Sequence, residues 1–479
     1  MSTTAIEGDV PVLSRIARSA AVLAAGTFVG QLFVIALSPW LTRLYGPADL
    51  GLLGTYSATL YMLASVATLR YEAAIALARD QGDADRLSVV SMAILLGISL
   101  ATLSSLLALG DRLPQGMHPI FVWALPLGVT LLGTYNISLN RRLRSARHAL
   151  IARTRVLQAV SGATAQVGFG SLGMGPAGLV YGQLLGLIAG LFRLKDLPIR
   201  QTLREFDRKS VLALLKAHRN FPIFDAPATV ASIANTHAPT IAIAMLFSPA
   251  SAGQYALVQR VLVTPFSMVS GALSSSLFSH ARTFGSQDAR AYTRRMLSLA
   301  ALLSPIATLG ACVANASFHL IFGSQWAGVG PVAAWVSLFL AQKFIFDSIF
   351  STLAVSQRQR IGFLLQSGVM VVRLLALVLA ASVLDFDRTL IVFSIATSLC
   401  YHIASHAAFD AQAPDRHLAW LAGALDWIFP FAVVHCVLNG TAVTTACIVY
   451  GVWVSWRGLA LAASWRKPHE SVHQTEAAR

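Results

Sequence analysis

Acidic side chains are scarce in this 479-residue chain: Asp and Glu together number 21, and charged residues of both signs make up 12%. A soluble domain carries roughly twice that share of charge, so a water-soluble globular protein is excluded. Only four cysteines occur, Cys312, Cys400, Cys436 and Cys447, all inside apolar runs. They lack metal-type spacing and read as small apolar residues. There is no G-x-x-x-x-G-K-[ST] phosphate loop, which excludes ATP hydrolysis by that route. Gly168-Phe169-Gly170-Ser171-Leu172-Gly173 matches G-x-G-x-x-G in form, but no strand precedes it and no βαβ unit surrounds it. The ten-residue alternation of an outer-membrane barrel is missing. So are a Ser/His/Asp constellation, a metal-ligand cluster and any long loop to house a catalytic domain. The chain reads as a non-enzyme without cofactor or metal.

What the chain has in quantity is hydrocarbon. Hydrophobic residues make up 56% and the mean hydropathy is +0.64. They fall in runs of about 20 or more, long enough to cross a roughly 30 Å bilayer core as helices. Division at polar or Gly/Pro breaks gives about fourteen spans, at roughly 16–41, 48–78, 87–109, 118–140, 150–170, 176–194, 220–247, 252–279, 291–316, 328–353, 360–384, 389–410, 418–438 and 441–464. The expected fold is all-α and polytopic.

The formal net charge is +15, and the placement of the basic residues decides what it means. Arg141, Arg142, Arg144, Arg147, Arg153 and Arg155 separate spans 4 and 5, and Arg193, Lys195, Arg200, Arg204, Arg208, Lys209, Lys216 and Arg219 separate spans 6 and 7. The loops between hold only Arg43, Arg112 and Arg388. About 30 basic residues on one side against about 3 on the other is the positive-inside asymmetry. It places both termini in the cytoplasm, with span 1 as an uncleaved signal anchor, and excludes nucleic acid as the partner.

Gly46-Pro47-Ala48-Asp49-Leu50-Gly51 and Ser248-Pro249-Ala250-Ser251-Ala252-Gly253 write x-Pro-Ala-x-x-Gly twice, just ahead of spans 2 and 8. Local turn chemistry gives one account, since proline suits a first helical turn. A parallel repeat gives the other: the offset of six spans is even, so two halves share one orientation, related by an axis along the membrane normal. The repeat implies six-helix bundles over 1–194 and 220–410, a basic connecting segment at 195–219, and a final helix pair with a tail at 411–479. Gly178, Gly182, Gly186 and Gly190 form a stripe suited to close helix approach. Pro222, Pro227 and Pro239 should kink or break span 7.

The chemistry rests on ionisable residues at membrane depth: Arg260 in span 8, Lys343 and Asp347 in span 10, and Arg373 in span 11. A basic group there costs roughly 2.5–3.5 kcal/mol and demands a partner. Lys343 and Asp347, four apart, suit an ion pair, whereas Arg260 and Arg373 face either a distant acid or a polar cavity. Such cations suit an anionic phosphate or diphosphate headgroup. Arg70 and Glu72, at the inner end of span 2, form a cytoplasmic mouth or an interfacial anchor. Asp225 in span 7 binds a coupling ion or caps a broken helix, and Asp347 is the other intramembrane carboxylate open to coupling.

The stretches GPADLGLLGTYSATLYMLASVATLRYEAAIAL (46–77) and 219–278 resemble the bacterial polysaccharide flippases of the Wzx type, members of the multidrug/oligosaccharidyl-lipid/polysaccharide exporter superfamily. Tyr45-Gly46-Pro47, Leu69-Arg70-Tyr71-Glu72, Phe221-Pro222 and Ala252-Gly253-x-Tyr255-x-Leu257-x-x-Arg260 carry the likeness, which fades after about residue 320. The resemblance implies two six-helix bundles opening alternately around a cationic cavity in the bacterial inner membrane. It implies a flippase carrying an undecaprenyl-diphosphate-linked oligosaccharide to the periplasmic leaflet for O-antigen or exopolysaccharide synthesis. Membrane lipids, a polysaccharide polymerase and a chain-length regulator are the implied partners. By position, Arg260, Arg70 and Glu72 match the family pattern, while Lys343 and Arg373 rest on depth alone. A multidrug or cation antiporter of the same fold is the alternative, and a membrane glycosyltransferase or polymerase a third.

Overall fold

The computed structural model describes residues 10–109, 118–194, 207–268, 307–355, 359–410 and 430–439, together with 270, 271 and 303. Among these residues there is no strand. The helices are α1 (Val10–Leu44), α2 (Pro47–Val66), α3 (Tyr71–Ile75), α4 (Gln81–Leu109), α5 (Phe121–Arg144), α6 (His148–Ser171), α7 (Gly175–Leu194), α8 (Arg208–Ala217), α9 (Ala226–Leu246) and α10 (Pro249–Val258). After them come α11 (Ala307–Phe322), α12 (Val329–Val355), α13 (Gln359–Ala381), α14 (Phe386–Asp410) and α15 (Pro430–Asn439). Seven are long and apolar enough to cross a membrane, and the protein is multi-pass. Span 14, and most of spans 9 and 13, lie outside the described residues.

Three stretches depart from unbroken spans. Span 2 divides: after α2 the chain turns through Leu69 and Arg70, at φ 49° and 64°, before α3 starts at Tyr71. Span 7 opens with a π turn, Phe221–Asp225, that runs into α9, and a second π turn, Gln259–Val263, follows α10. Each π turn ends two residues before a proline, Pro227 and Pro265. A proline has no N–H to donate and its ring crowds the carbonyl four residues back, here Ile223 and Val261. Widening the turn to i→i+5 bonding relieves that crowding.

Both copies of x-Pro-Ala-x-x-Gly start helices, with proline in the first turn. The Asp49 carboxylate accepts from the Gly46 N–H at 3.0 Å, and the Ser248 hydroxyl accepts from the Ser251 N–H at 3.1 Å. The two copies also meet. A Cβ on Gly51 would fall 1.7 Å from the Pro249 carbonyl oxygen, and one on Gly253 would fall 1.8 Å from that of Pro47. Each glycine therefore lies against the other copy's proline, the reciprocal contact that a two-fold axis generates. Next along the same helices, Gly54 packs on Ala256.

The buried residues of one core come from the first half, among them Tyr56, Leu60, Leu95, Phe121, Val129 and Leu187, with Leu214, Leu215 and Phe221 packed against it. A second is built on α9 to α14, including Tyr255, Trp326, Phe339, Phe346 and Phe393, and takes in Leu41, Tyr45, Leu50 and Leu53 near the Pro-Ala end. The glycine stripe of α7 packs on α6: a Cβ on Gly182 would lie 2.7 Å from the Gln166 nitrogen, and one on Gly186 2.8 Å from the Gln158 carbonyl oxygen. That close approach fixes the face α6 turns towards the interior.

Candidate functional site

A cavity of about 590 Å³ lies between α1, α2, α6 and α7 on one side and α9, α10 and the second π turn on the other. Its size is that of a site for one small ligand. Beyond it towards the Pro-Ala end lies the Gly51–Gly253 contact. Its wall carries amides and hydroxyls, including Gln31, Gln158, Gln166, Gln183, Gln259 and Thr236, and two guanidinium groups, Arg155 and Arg260. Among the described residues, none of the lining side chains is acidic. Two of the amides are held in place by neighbours: Ser57 donates to Gln183 Oε1 at 2.8 Å, and Gln166 Nε2 donates to the Leu179 carbonyl at 3.1 Å. Tyr61 and His237 stack across the α2–α9 seam with ring centroids 5.1 Å apart.

Arg260 sits in the second π turn and so comes to the wall through the backbone widening ahead of Pro265. Its Nη2 donates to Gln166 Oε1 at 3.5 Å, while its buried Nε has no hydrogen-bond partner. A buried donor without a partner is costly, and the guanidinium that carries it lines a cavity in which arginine can bind an anion.

The other charged candidates lie elsewhere. Arg70 Nε donates to Asp225 Oδ2 at 2.7 Å, and Arg70 Nη1 donates to Glu72 Oε1 at 3.0 Å. Thr68 donates to the second oxygen of the buried Glu72 carboxylate. The three residues form one cluster that ties the α2–α3 break to the π turn ahead of α9, so Asp225 bridges helices from the two halves. Lys343 pairs with Asp347 along α12. Arg373 is buried away from the cavity: it donates to Thr397 Oγ1 (3.1 Å), to the Asn235 carbonyl (3.0 Å) and side-chain oxygen (2.5 Å), and to Tyr401 Oη (3.1 Å). Its guanidinium carbon lies 5.3 Å from the ring centroids of both Phe393 and Tyr401. Arg260 alone of the seven candidates lines the cavity.

Sequence reasoning missed Arg155, which it counted as a loop arginine of the basic side. The structure places it two turns inside α6, on the cavity wall, where Nη1 donates to Thr27 Oγ1 at 2.7 Å. The signal was present: Arg155, Gln158, Gly162 and Gln166 recur at helical spacing on one face. At the arginine-rich end α8 is capped by Asp207, which hydrogen bonds from the Ser210 hydroxyl and from the Ser210 and Lys209 N–H groups hold below the usual carboxylate range.

Helices of this length and apolarity around a polar, cationic interior define a membrane protein of transporter-like fold, and comparison with solved structures agrees. An inward-facing multidrug resistance MATE family transporter of the MOP superfamily is 14% identical, with a TM-score of 0.57 over 83% of this chain and 99% of that one. The lipid II flippase MurJ in an inward closed conformation is 12% identical, with a TM-score of 0.56 over 87% and 98%. A MOP superfamily transporter from Pyrococcus furiosus is 14% identical, at 0.53 over 88% and 96%. These likenesses establish the fold. The chain belongs to the polysaccharide biosynthesis protein family, whose pattern it matches over residues 40–331, more than half its length. No curated protein matches it.

Proposed function

We propose that this protein is a flippase that carries a polyprenyl-diphosphate-linked oligosaccharide from the cytoplasmic to the periplasmic leaflet of the bacterial inner membrane by alternating access. The observation that carries the reading is the composition of the cavity wall, which among the described residues holds two arginines, a set of amides and hydroxyls, and no carboxylate. Guanidinium groups bind phosphate oxygens through paired hydrogen bonds, and amides suit sugar hydroxyls. A polar interior spares glycan and diphosphate the loss of their water in hydrocarbon. Membership of the polysaccharide biosynthesis family supports the cargo class. In this reading the arginine-rich end and both termini are cytoplasmic, the repeat divides the chain into bundles over 1–194 and 220–410, and a polysaccharide polymerase takes the delivered unit. A cation antiporter would need carboxylates in the cavity, yet Asp225 and Asp347 are engaged in ion pairs outside it.

The test is depletion of the protein followed by extraction of lipid-linked oligosaccharides, with leaflet assignment by a membrane-impermeant glycan probe. The expected outcome is accumulation of a complete, probe-protected unit and loss of surface polysaccharide. Unaltered polysaccharide with no such lipid overturns the reading.

A further inference from the structure

Arg155, Gln158, Ala159, Gly162, Ala163 and Gln166 all line the cavity from one face of α6. At 1.5 Å per residue, Arg155 lies about 16 Å along the helix from Gln166, the residue to which Arg260 donates. Arg155 is held level with its own turn, because its partner Thr27 belongs to a helix packed in parallel register: Gly26 of α1 meets Ala152, and Gly30 meets Ala159. The two guanidiniums are thus anchored at different levels of α6, with Gln158 between those levels. A diphosphate, two linked phosphate tetrahedra, is shorter than that gap. None of the ion pairs among the described residues includes Arg155 or Arg260. Each therefore offers its charge to a ligand without first breaking a salt bridge. Arg155 needs only to leave the neutral hydroxyls of Thr27 and Tyr135, and the hydrogen bond from Arg260 to Gln166 is long, at 3.5 Å.

We propose that the cavity contains two alternative anion stations, Arg155 towards the arginine-rich end and Arg260 at mid-depth, and that the diphosphate of the cargo steps from one to the other along the glutamine-bearing face of α6. The inference rests on the flippase reading and adds a site to it. Passage through a binding pathway requires sites strong enough to admit the ligand and weak enough to release it. Two separate single-arginine stations meet that condition, whereas both guanidiniums on one diphosphate would make a deep trap.

The experiment uses the full chain in detergent, with farnesyl diphosphate as the probe and native mass spectrometry as the readout. In parallel, proteoliposomes report the flipping rate of a fluorescent polyprenyl-diphosphate lipid. With alternative stations, Arg155→Gln or Arg260→Gln alone weakens binding by only about 2-fold, the double variant by more than about 10-fold, and either single change slows flipping by more than about 10-fold. Arg155→Lys, which keeps the charge, restores most of the rate and guards against a folding artefact. A loss of more than about 10-fold in affinity from each single change means one composite site and overturns the proposal. So does an Arg155→Gln variant that behaves like its parent, alone and in the Arg260→Gln background; in both of these cases the flippase reading stands. If the unaltered protein neither binds the probe nor flips the lipid, the flippase reading itself fails.

Discussion

Arg260 and Arg373 show how two arginines in apolar helices acquire different roles. Every nitrogen of a guanidinium needs an acceptor when buried. Arg373 finds acceptors on α9 and α14 and aromatic faces around it, and so joins three helices. Arg260 finds one long hydrogen bond and an empty Nε site. Arg373→Ala strands the Asn235, Thr397 and Tyr401 groups in the core and is expected to cost about 2–4 kcal/mol of stability, read as a lower thermal midpoint in detergent. Arg260→Gln is expected to leave that midpoint nearly unchanged and abolish polysaccharide export. Equal melting points for both variants would refute this division of roles. The depth of the two arginines was legible in the sequence, but the difference between them was not. It depends on residues 138 and 94 positions distant, and no local pattern records such contacts. Arg155 was hidden for another reason: a cluster of neighbouring loop arginines made it look like topology.

At the scale of the helix, the chain advertises its starts better than its breaks. The Pro-Ala-x-x-Gly copies, the α7 glycine stripe and the irregularity of span 7 were all readable, because proline and glycine act through local backbone geometry. The division of span 2 was not readable. No glycine or proline stands at the turn, and Leu69 and Arg70 hold left-handed conformations that cost about 1–3 kcal/mol each. The Arg70–Asp225 and Arg70–Glu72 contacts help to offset that cost, and those form only once the fold has assembled. The Gly51–Gly253 contact leads to a sharper expectation. In Gly51→Ala the added methyl has no room beside the Pro249 carbonyl, which is backbone and cannot rotate aside. α2 and α10 must therefore part at their Pro-Ala ends. In a cysteine-free background, a Ser57→Cys probe on the cavity wall is expected to gain labelling by an impermeant thiol reagent applied from the periplasmic side when Gly51→Ala is added. No gain in labelling would show that this contact does not seal the cavity.

Across the whole molecule, α2 is the part that both ends share. Near its start it grips α10 through glycine and proline backbone, and past its end Arg70 reaches Asp225 ahead of α9. The two contacts differ in strength by design of their chemistry. The first is close-packed backbone against backbone; the second is a partly exposed ion pair, of the kind worth only about 0–1 kcal/mol. A contact that weak suits an end that opens in the proposed cycle, since breaking it costs little and its charges are partly exposed. Alternating access as proposed would require Arg70 and Asp225 to separate once in each cycle while cargo enters from the arginine-rich side. The expectation is tested by tethering that end. In a cysteine-free background carrying Arg70→Cys and Asp225→Cys, a short bis-thiosulfonate, which forms a disulfide with each cysteine and releases sulfinate, should stop lipid flipping in proteoliposomes, and reduction should restore it. Either single cysteine treated alike controls for modification without a tether. Continued flipping in the tethered protein would mean that cargo does not enter between these helices. The opening would then have to lie at another seam, with Arg70, Glu72 and Asp225 left as a fixed brace between the halves.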